Sequence, residues 1–324
     1  MPHAIRIHKT GGPEVLSWEE VTLAKPGPGE VRMRQTAVGL NYIDTYFRKG
    51  IYPLNFPSSL GNEGAGVVAE LGPGVTDFKV GDRVAYGNAP IGSYAEERLI
   101  PAERLVKVPD SVSDKQAAAV MLKGLTAQYL LRQTYRVKPG ETILFHAAAG
   151  GVGSIACQWA KHLGATVIGT AGGAAKGKLA KDNGCDYVID YNKEDFVKRV
   201  AEITNGKKLP VVYDSVGKDT FLKSLDCLAP LGLMVSFGQS SGLVEPFSIN
   251  LLTAKGSLYA TRPTLGDYAS TTEKLRAMAK ELFDVVAAGI VKIEIGQTYA
   301  LKDVAQAHRD LESRKTTGST VLLV

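Results

Sequence analysis

Apolar and polar positions alternate in short runs along the first third of the chain. Residues 31–40, 64–72 and 82–87 read as strands, and Pro26-Gly27-Pro28-Gly29, Gly72-Pro73-Gly74 and Gly81-Asp82 cut them apart. This pattern predicts an irregular, strand-rich first domain, with a helix from Ser113 to about Arg132 leading out of it. From residue 140 the rhythm changes. Residues 142–146 form an apolar strand pattern, after which Val152, Ile155, Ala156, Trp159, Ala160 and Leu163 recur at helical spacing. Strand patterns at 166–170, 209–213, 233–237 and 257–261 follow, with a helix around 176–183. Strands and helices in alternation predict an α/β fold whose parallel, doubly wound sheet is built through right-handed crossovers. The tail from about 265 carries a helix pattern over 272–288 and ends in a strand-like run at 319–323, a pattern that permits a return to the first domain.

The most informative stretch is Leu144-Phe145-His146-Ala147-Ala148-Ala149-Gly150-Gly151-Val152-Gly153. A strand ends there, a glycine-dense turn follows, and a helix starts at once. Bare backbone and unpaired helix N–H groups at such a junction suit a dinucleotide pyrophosphate. Gly150 and Gly151 would leave the backbone open to phosphate, and Gly153 would let the helix lie close on its strand. Ala148 stands where the usual pattern has its first glycine, which is acceptable if its backbone needs no glycine-only dihedral.

The end of the second strand bears on which dinucleotide binds. An NAD site often places Asp or Glu there to hold the ribose diol. Gly169-Thr170-Ala171-Gly172-Gly173 offers no carboxylate, and Lys176 follows, which favours the 2′-phosphate of NADPH. Gly172, Gly173 and Lys176 would form that subsite and Tyr191 would complete it. Lys178 is assigned to solvent.

Composition narrows the class. A chain of 324 residues, 44% hydrophobic with 35 glycines, has material for two folded domains. Cys157, Cys185 and Cys227 are odd in number and widely spaced, so buried thiols are expected rather than a disulfide or metal framework. No apolar run reaches the ~18 residues of a membrane span, and the opening MPHAIRIHK lacks a signal-like core, so cytoplasmic residence is expected. A net charge of +5 suits an anionic cofactor without marking a nucleic-acid binder.

The chain resembles the medium-chain dehydrogenase/reductase superfamily, and within it the quinone oxidoreductase branch related to zeta-crystallin. The resemblance rests on Gly140-Glu141 through Leu144, the turn 148–153, Gln158 and Lys161. Asn41-Tyr42-Ile43-Asp44, Gly61-Asn62-Glu63-Gly64-Ala65-Gly66, Gly81-Asp82-Arg83-Val84, Lys123-Gly124-Leu125-Thr126-Ala127, Tyr213-Asp214-Ser215-Val216-Gly217 and Ser236-Phe237-Gly238 extend it over nearly the whole chain. It implies a GroES-like catalytic domain from residues 1–124 and 265–324 enclosing a Rossmann-type NADPH-binding domain at 125–264, with cofactor and substrate meeting in the cleft between them. It also implies a homodimer joined through late strands of the nucleotide-binding sheet, 233–237 and 257–261 being the candidate edges. The competing reading is that the tail covers that edge.

The resemblance also bears on metal. Where zinc-dependent relatives place a cysteine and a histidine, this chain has Asn41 and Asn62, and the loop 87–94 has no cysteine. Neither amide replaces thiolate or imidazole well, so no metal is expected. Glu63 is expected to hold local structure through an arginine or backbone donors, and His146 to pack or orient. A quinone is already electron-poor, so zinc-independent hydride transfer from NADPH requires mainly alignment and exclusion of water.

The resemblance implies Asn41 beside the nicotinamide or substrate, with Tyr46 and Tyr52 lining the acceptor pocket. Further cofactor contacts are Tyr42, Ile43, Asp44, Thr45, Thr126, Tyr129, Ser215, Phe237, Gly238, Gln239 and Ser240, with Arg262 and Arg314 either contacting cofactor or facing solvent. Lys123 would orient the pocket. Two alternatives remain open: reduction of activated enones or enoyl thioesters, and a nonenzymatic NADPH- or RNA-binding role.

Overall fold

The computed structural model describes residues 1–88 and 90–324. The early alternation becomes β1 (His3–Ile7), β2 (Ser17–Glu20), β3 (Glu30–Leu40), helix α1 (Tyr42–Arg48), β4 (Ser58–Ser59), β5 (Glu63–Leu71), β6 (Arg83–Gly87), β7 (Glu97–Pro101), β8 (Val106–Lys107) and helix α2 (Asp114–Tyr129). The β–α rhythm follows as β9 (Thr142–Phe145), α3 (Gly151–His162), β10 (Thr166–Ala171), α4 (Ala174–Asp182), β11 (Tyr187–Asp190), α5 (Phe196–Ile203), β12 (Leu209–Asp214), α6 (Phe221–Ser224), β13 (Leu228–Ser236), α7 (Asn250–Ala254) and β14 (Tyr259–Thr261). The tail supplies α8 (Leu265–Tyr268), α9 (Thr272–Ala287), β15 (Ile295–Ala300), α10 (Val304–Glu312) and β16 (Ser319–Leu323).

Two units result. The first comprises Met1–Leu125, Tyr268–Ala287 and Ile293–Val324; the second comprises Thr126–Asp267 and Ala288–Lys292. The short stretch 288–292 therefore lies with the second unit, where the sequence pattern groups it with the tail. Gln158 of α3 holds it there, accepting from Lys292 N at 2.9 Å and donating to Lys292 O at 3.1 Å.

In the first unit, β15-β16-β3-β5-β6-β8 form a sheet to which β7 adds by pairing with β3, and β2-β1-β4 form a smaller sheet. Burial along β3 alternates through Val31, Met33, Gln35 and Ala37 and becomes continuous at Val38–Leu40, where both faces are covered. The tail returns: β16 runs antiparallel to β3, with Thr320 opposite Leu40. Ile5, Ile7, Leu40, Leu60, Val304 and Leu322 form one core, and Val31, Met33, Val68, Phe78 and Ile100 another.

In the second unit, six parallel strands run in the order β11-β10-β9-β12-β13-β14. Leu144, Ile168, Val212, Phe221 and Met234 anchor its core. Three local departures from the sequence pattern are visible. The α-helix α2 stops at Tyr129 and runs into a π-helical turn, Leu130–Thr134. The strand expected at 233–237 extends back to Leu228. The one expected at 257–261 begins at Tyr259, two residues after Ser257, which holds a left-handed φ of +55°. The open edge β14 pairs with β13, and among the described residues no strand pairs with its other side.

Candidate active site

In the second unit the chain leaves β9 at Phe145 and enters the glycine turn. Ala147, not Ala148, takes the left-handed conformation, φ +53°, so Ala148 needs no glycine dihedral. Ala148 is fully buried and donates its N–H to Thr170 O at 3.0 Å. A Cβ at Gly153 would fall 2.7 Å from Ala148 Cα and closer still to Ala147 O, so only glycine lets α3 lie this near the turn. Gly150 caps α3 without a side-chain bond. Among the described residues, the N–H groups of Gly151, Val152 and Gly153 have no acceptor. Three orphan donors at the positive end of a 12-residue helix are chemically suited to an anion.

The next subsite forms at the start of α4. Gly173 is its N-cap at φ +83°, and a Cβ at Gly172 would lie 2.5 Å from the Tyr191 hydroxyl, so that hydroxyl rests on bare backbone. Lys176 is half-buried in the first turn of α4, whereas Lys178 is exposed and pairs with Asp182. Sequence reasoning missed Asp190. Its carboxylate accepts from Gly173 N at 3.0 Å and Asn192 N at 3.1 Å, and these backbone donors hold it below the usual carboxylate range. Both bonds go to Oδ1, which thus helps to shape the turn.

At the ends of β12 and β13, Phe237 N donates to Asp214 O at 2.8 Å and Ser240 N to Ser215 O at 3.1 Å. A Cβ at Gly238 would lie 2.6 Å from Ser215 O, which explains the glycine there. Phe237 packs on Phe145 with ring centroids 5.5 Å apart. Arg262 joins this loop, donating to Ser236 O at 3.0 Å and reaching Gln239 Oε1 at 3.4 Å. The structure thus gathers Ser215, Phe237, Gly238, Gln239, Ser240 and Arg262 at one carboxyl end of the sheet, where open α/β sheets bind ligands. His146 is buried between Thr170 Oγ1 at 3.0 Å and Ser224 Oγ at 2.9 Å; burial lowers its pKa, so it is a neutral orienting group. Thr126 and Tyr129 lie on the last turns of α2, Tyr129 buried.

The first unit concentrates its polar groups around α1. Asn41 precedes this helix, and its Nδ2 donates to Glu63 Oε2 at 2.8 Å. Glu63 is fully buried at the start of β5. The same oxygen accepts from Lys123 Nζ at 2.7 Å, and Oε1 accepts from Leu122 N at 2.7 Å. Gly39 is required beside this carboxylate, because a Cβ there would overlap Glu63 and Ala118 O. Glu63 therefore takes the expected backbone donor, Leu122 N, and pairs with a lysine in place of an arginine. Helix α2 delivers Lys123 from a fixed start: Ser113 and Gln116 cap it, and Asp114 pairs with Arg83 at 2.6 Å.

Asp44, also fully buried, accepts from Asn41 N at 2.9 Å, Asn62 Nδ2 at 2.6 Å and the Tyr94 hydroxyl at 2.8 Å. Burial pushes its pKa up to about 6 against the pull of those donors and of Lys123. A chain of donors continues behind it. Tyr94 lies 3.0 Å from His308 Nε2, and His308 Nδ1 lies 2.7 Å from Arg48, whose guanidinium grips Glu312 at 2.8 and 2.9 Å. Arg48 can only donate, so Nδ1 accepts and Nε2 carries the proton toward Tyr94. Burial, then Arg48, pushes His308 down to about 3, keeping it neutral.

Tyr42, Tyr46 and Tyr52 stand side by side, with centroids 5.6 Å and 5.7 Å apart in sequence order. Thr45 is buried against Tyr42 O at 2.7 Å, and Ile43 is half-buried. Arg314, exposed at φ +59° beyond α10, acts electrostatically on Tyr42. Asn41 and Asn62 both turn amide N–H groups to carboxylates, which is not a metal-ligand arrangement. Among the described residues no group of three or more His, Cys, Asp or Glu side chains is placed to hold a metal ion.

A GroES-like strand unit together with a parallel sheet carrying a dinucleotide turn defines the class: a nicotinamide-dependent oxidoreductase of medium-chain type. Residues 27–110 match the family model described as alcohol dehydrogenase GroES-like domain, and residues 151–286 the one described as zinc-binding dehydrogenase. A quinone oxidoreductase of Pseudomonas aeruginosa is 58% identical over 324 residues, covering 100% of both chains. A 2-haloacrylate reductase of Burkholderia sp is 50% identical over 330 residues, covering 100% of this chain and 99% of that one. The solved Escherichia coli quinone oxidoreductase complexed with NADPH has a TM-score of 0.98 at 51% identity, covering 99% of this chain and 100% of that one. The chain belongs to the quinone oxidoreductase family, the zeta-crystallin-like branch of the medium-chain dehydrogenases and reductases.

Proposed function

We propose that this chain reduces quinones with NADPH and does so without zinc. The observation that carries the reading is the row of orphan N–H groups at Gly151, Val152 and Gly153 above a turn that tolerates no Cβ at Gly153. It agrees with the relative solved with NADPH at 51% identity. Bound NADPH would supply the hydride. Gly150–Gly153 would bind its pyrophosphate, and Gly172, Gly173, Lys176 and Tyr191 its 2′-phosphate. Ser215, Phe237–Ser240 and Arg262 would hold its nicotinamide end, with Thr126 and Tyr129 as further contacts.

On the first unit, Tyr46 and Tyr52 present aromatic surface suited to a planar acceptor, and Asn41, fixed by Glu63, presents its amide to the reacting ring. Ile43, Asp44 and Thr45 act through the shape of α1, while Tyr42 and Arg314 flank the opening of that surface. No general base is required, because an electron-poor acceptor takes hydride directly.

A second reading is favoured by one finding, the 50% identity to a 2-haloacrylate reductase. Quinones and activated alkenes share hydride addition conjugate to a carbonyl. The open edge strand β14, with Tyr259 61% exposed, suits a homodimer built by strand addition. Among the described residues no helix is long and apolar enough to cross a membrane; together with three free buried thiols this supports a cytoplasmic protein. Steady-state assays with NADPH or NADH against quinones, enones and 2-haloacrylates test the assignment. The expected result is NADPH-specific turnover fastest with quinones, and turnover restricted to the haloacrylate would establish the second reading instead.

A further inference from the structure

Lys123 is a buried ammonium whose side chain is 7% exposed. Among the described residues its one acceptor is Glu63 Oε2 at 2.7 Å. An ammonium has three N–H donors, so two are left for a group the protein does not itself supply. A lysine usually extends its charge to water, and burying one with donors unused is costly. The charged groups facing it are Glu63 from β5 and Asp44 from α1, and Lys123 acts on Asp44 electrostatically. Glu63 binds the ammonium and the Asn41 amide through one oxygen, so the two nitrogens are neighbours by construction.

We propose that Lys123, held by Glu63, binds the acceptor's carbonyl oxygen and stabilises the negative charge that forms there. This inference rests on the quinone-reductase reading and names the group that reading lacks. Hydride brings two electrons to a ring carbon and forms one C–H bond. The conjugated C=O π pair moves onto oxygen, which afterwards takes a proton from solvent. The ammonium donates a hydrogen bond throughout and keeps its own protons. The same contact serves any acceptor whose carbonyl or carboxylate is conjugated to the accepting carbon, which unites quinones with 2-haloacrylates. Asn41 contacts the acceptor beside Lys123, since the two share one anchor.

The probe is 4-nitrophenol, whose coloured anion resembles the oxyanion that hydride addition leaves on a quinone. Bound to the wild-type holoprotein, it should ionise at a lower pH than in free solution. Lys123→Met should abolish that shift, Lys123→Arg should retain much of it, and Lys115→Met, on the exposed side of α2, should leave it intact. Quinone turnover should fall by on the order of 10²-fold in Lys123→Met with NADPH affinity unchanged. Because that change strands the Glu63 carboxylate, Lys123→Met with Glu63→Gln serves as the folded control, and it should show the same loss. The inference is overturned if either neutral variant, folded by circular dichroism, still shifts nitrophenol and reduces quinone as the wild type does. A wild-type protein that oxidises NADPH with no quinone would sink the functional reading itself, a distinguishable outcome.

Discussion

Replacing Gly153 by alanine tests the cofactor seat through geometry alone. The added Cβ would lie 2.7 Å from Ala148 Cα and 2.8 Å from Ala148 C, against ordinary contacts beyond 3.4 Å. Both atoms are backbone, so no side-chain rotation relieves the overlap. Helix α3 must move away from β9 by the better part of an ångström. Overpacking of this kind costs about 1–3 kcal/mol of stability. The same movement carries the Gly151, Val152 and Gly153 N–H groups away from the phosphate. Hydrogen bonds to a charged group contribute about 1.5–3 kcal/mol each, so weakening one or two should raise the NADPH dissociation constant roughly 10- to 1,000-fold. Calorimetric titration with NADPH, alongside a thermal melt without it, separates the two effects. A Gly153→Ala protein with undiminished affinity and an unchanged melting temperature would refute the account of the turn.

Asp44 and His308 predict opposing pH dependences. Asp44 is raised from 3.8 to about 6, so its contribution to stability is complete below pH 3.8 and is lost as pH climbs through about 6. His308 is lowered from 6.5 to about 3, so its contribution is complete above pH 6.5 and is lost as pH falls toward about 3. Each amounts to a few kcal/mol, on the order of 1.4 kcal/mol per unit. Relative to wild type, denaturant titrations from pH 4 to 6 should therefore show Asp44→Asn gaining stability with rising pH and His308→Gln losing it; parallel curves would contradict both assignments. Ala147→Gly should stabilise the protein by up to about 1 kcal/mol, read as a higher urea midpoint, because relief of the left-handed strain at φ +53°, about 1–2 kcal/mol, outweighs the entropy glycine adds to the unfolded chain, about 0.4–1 kcal/mol. Tyr259→Glu on β14 should convert a dimer to a monomer by sedimentation with NADPH affinity preserved, and an unchanged dimer would place the interface elsewhere.

Elements whose pattern is local were legible in the sequence. The stripe Val152–Leu163 and the strand at 142–146 became α3 and β9 within a residue at each end, because each carries its own period and its own glycine boundary. The return of β16 to β3 was only permitted by the sequence, since its register depends on a partner some 280 residues away. Ser257 shows the limit from the other side: its left-handed backbone is set by the turn onto β14, and nothing in its side chain announces it. The glycine turn was readable as a strand-to-helix junction, yet which alanine takes the positive φ required the structure. Lys123 stood within a recognised motif, but its bond to Glu63 spans 60 residues and has no sequence signature. The chain from Asp44 through Tyr94 and His308 to Arg48 was invisible for the same reason, its closing bond joining residues 260 apart.

The central claim is that hydride passes from NADPH to a quinone with no metal involved. A single-turnover mixing experiment on protein dialysed against a strong chelator tests it most directly, comparing NADPH with NADPH carrying deuterium at the transferred position. The account predicts that nicotinamide absorbance decays only when quinone is present, more slowly for the deuterated cofactor, and at a rate unaffected by chelation or added zinc. Decay that stops on chelation and returns with zinc would contradict it.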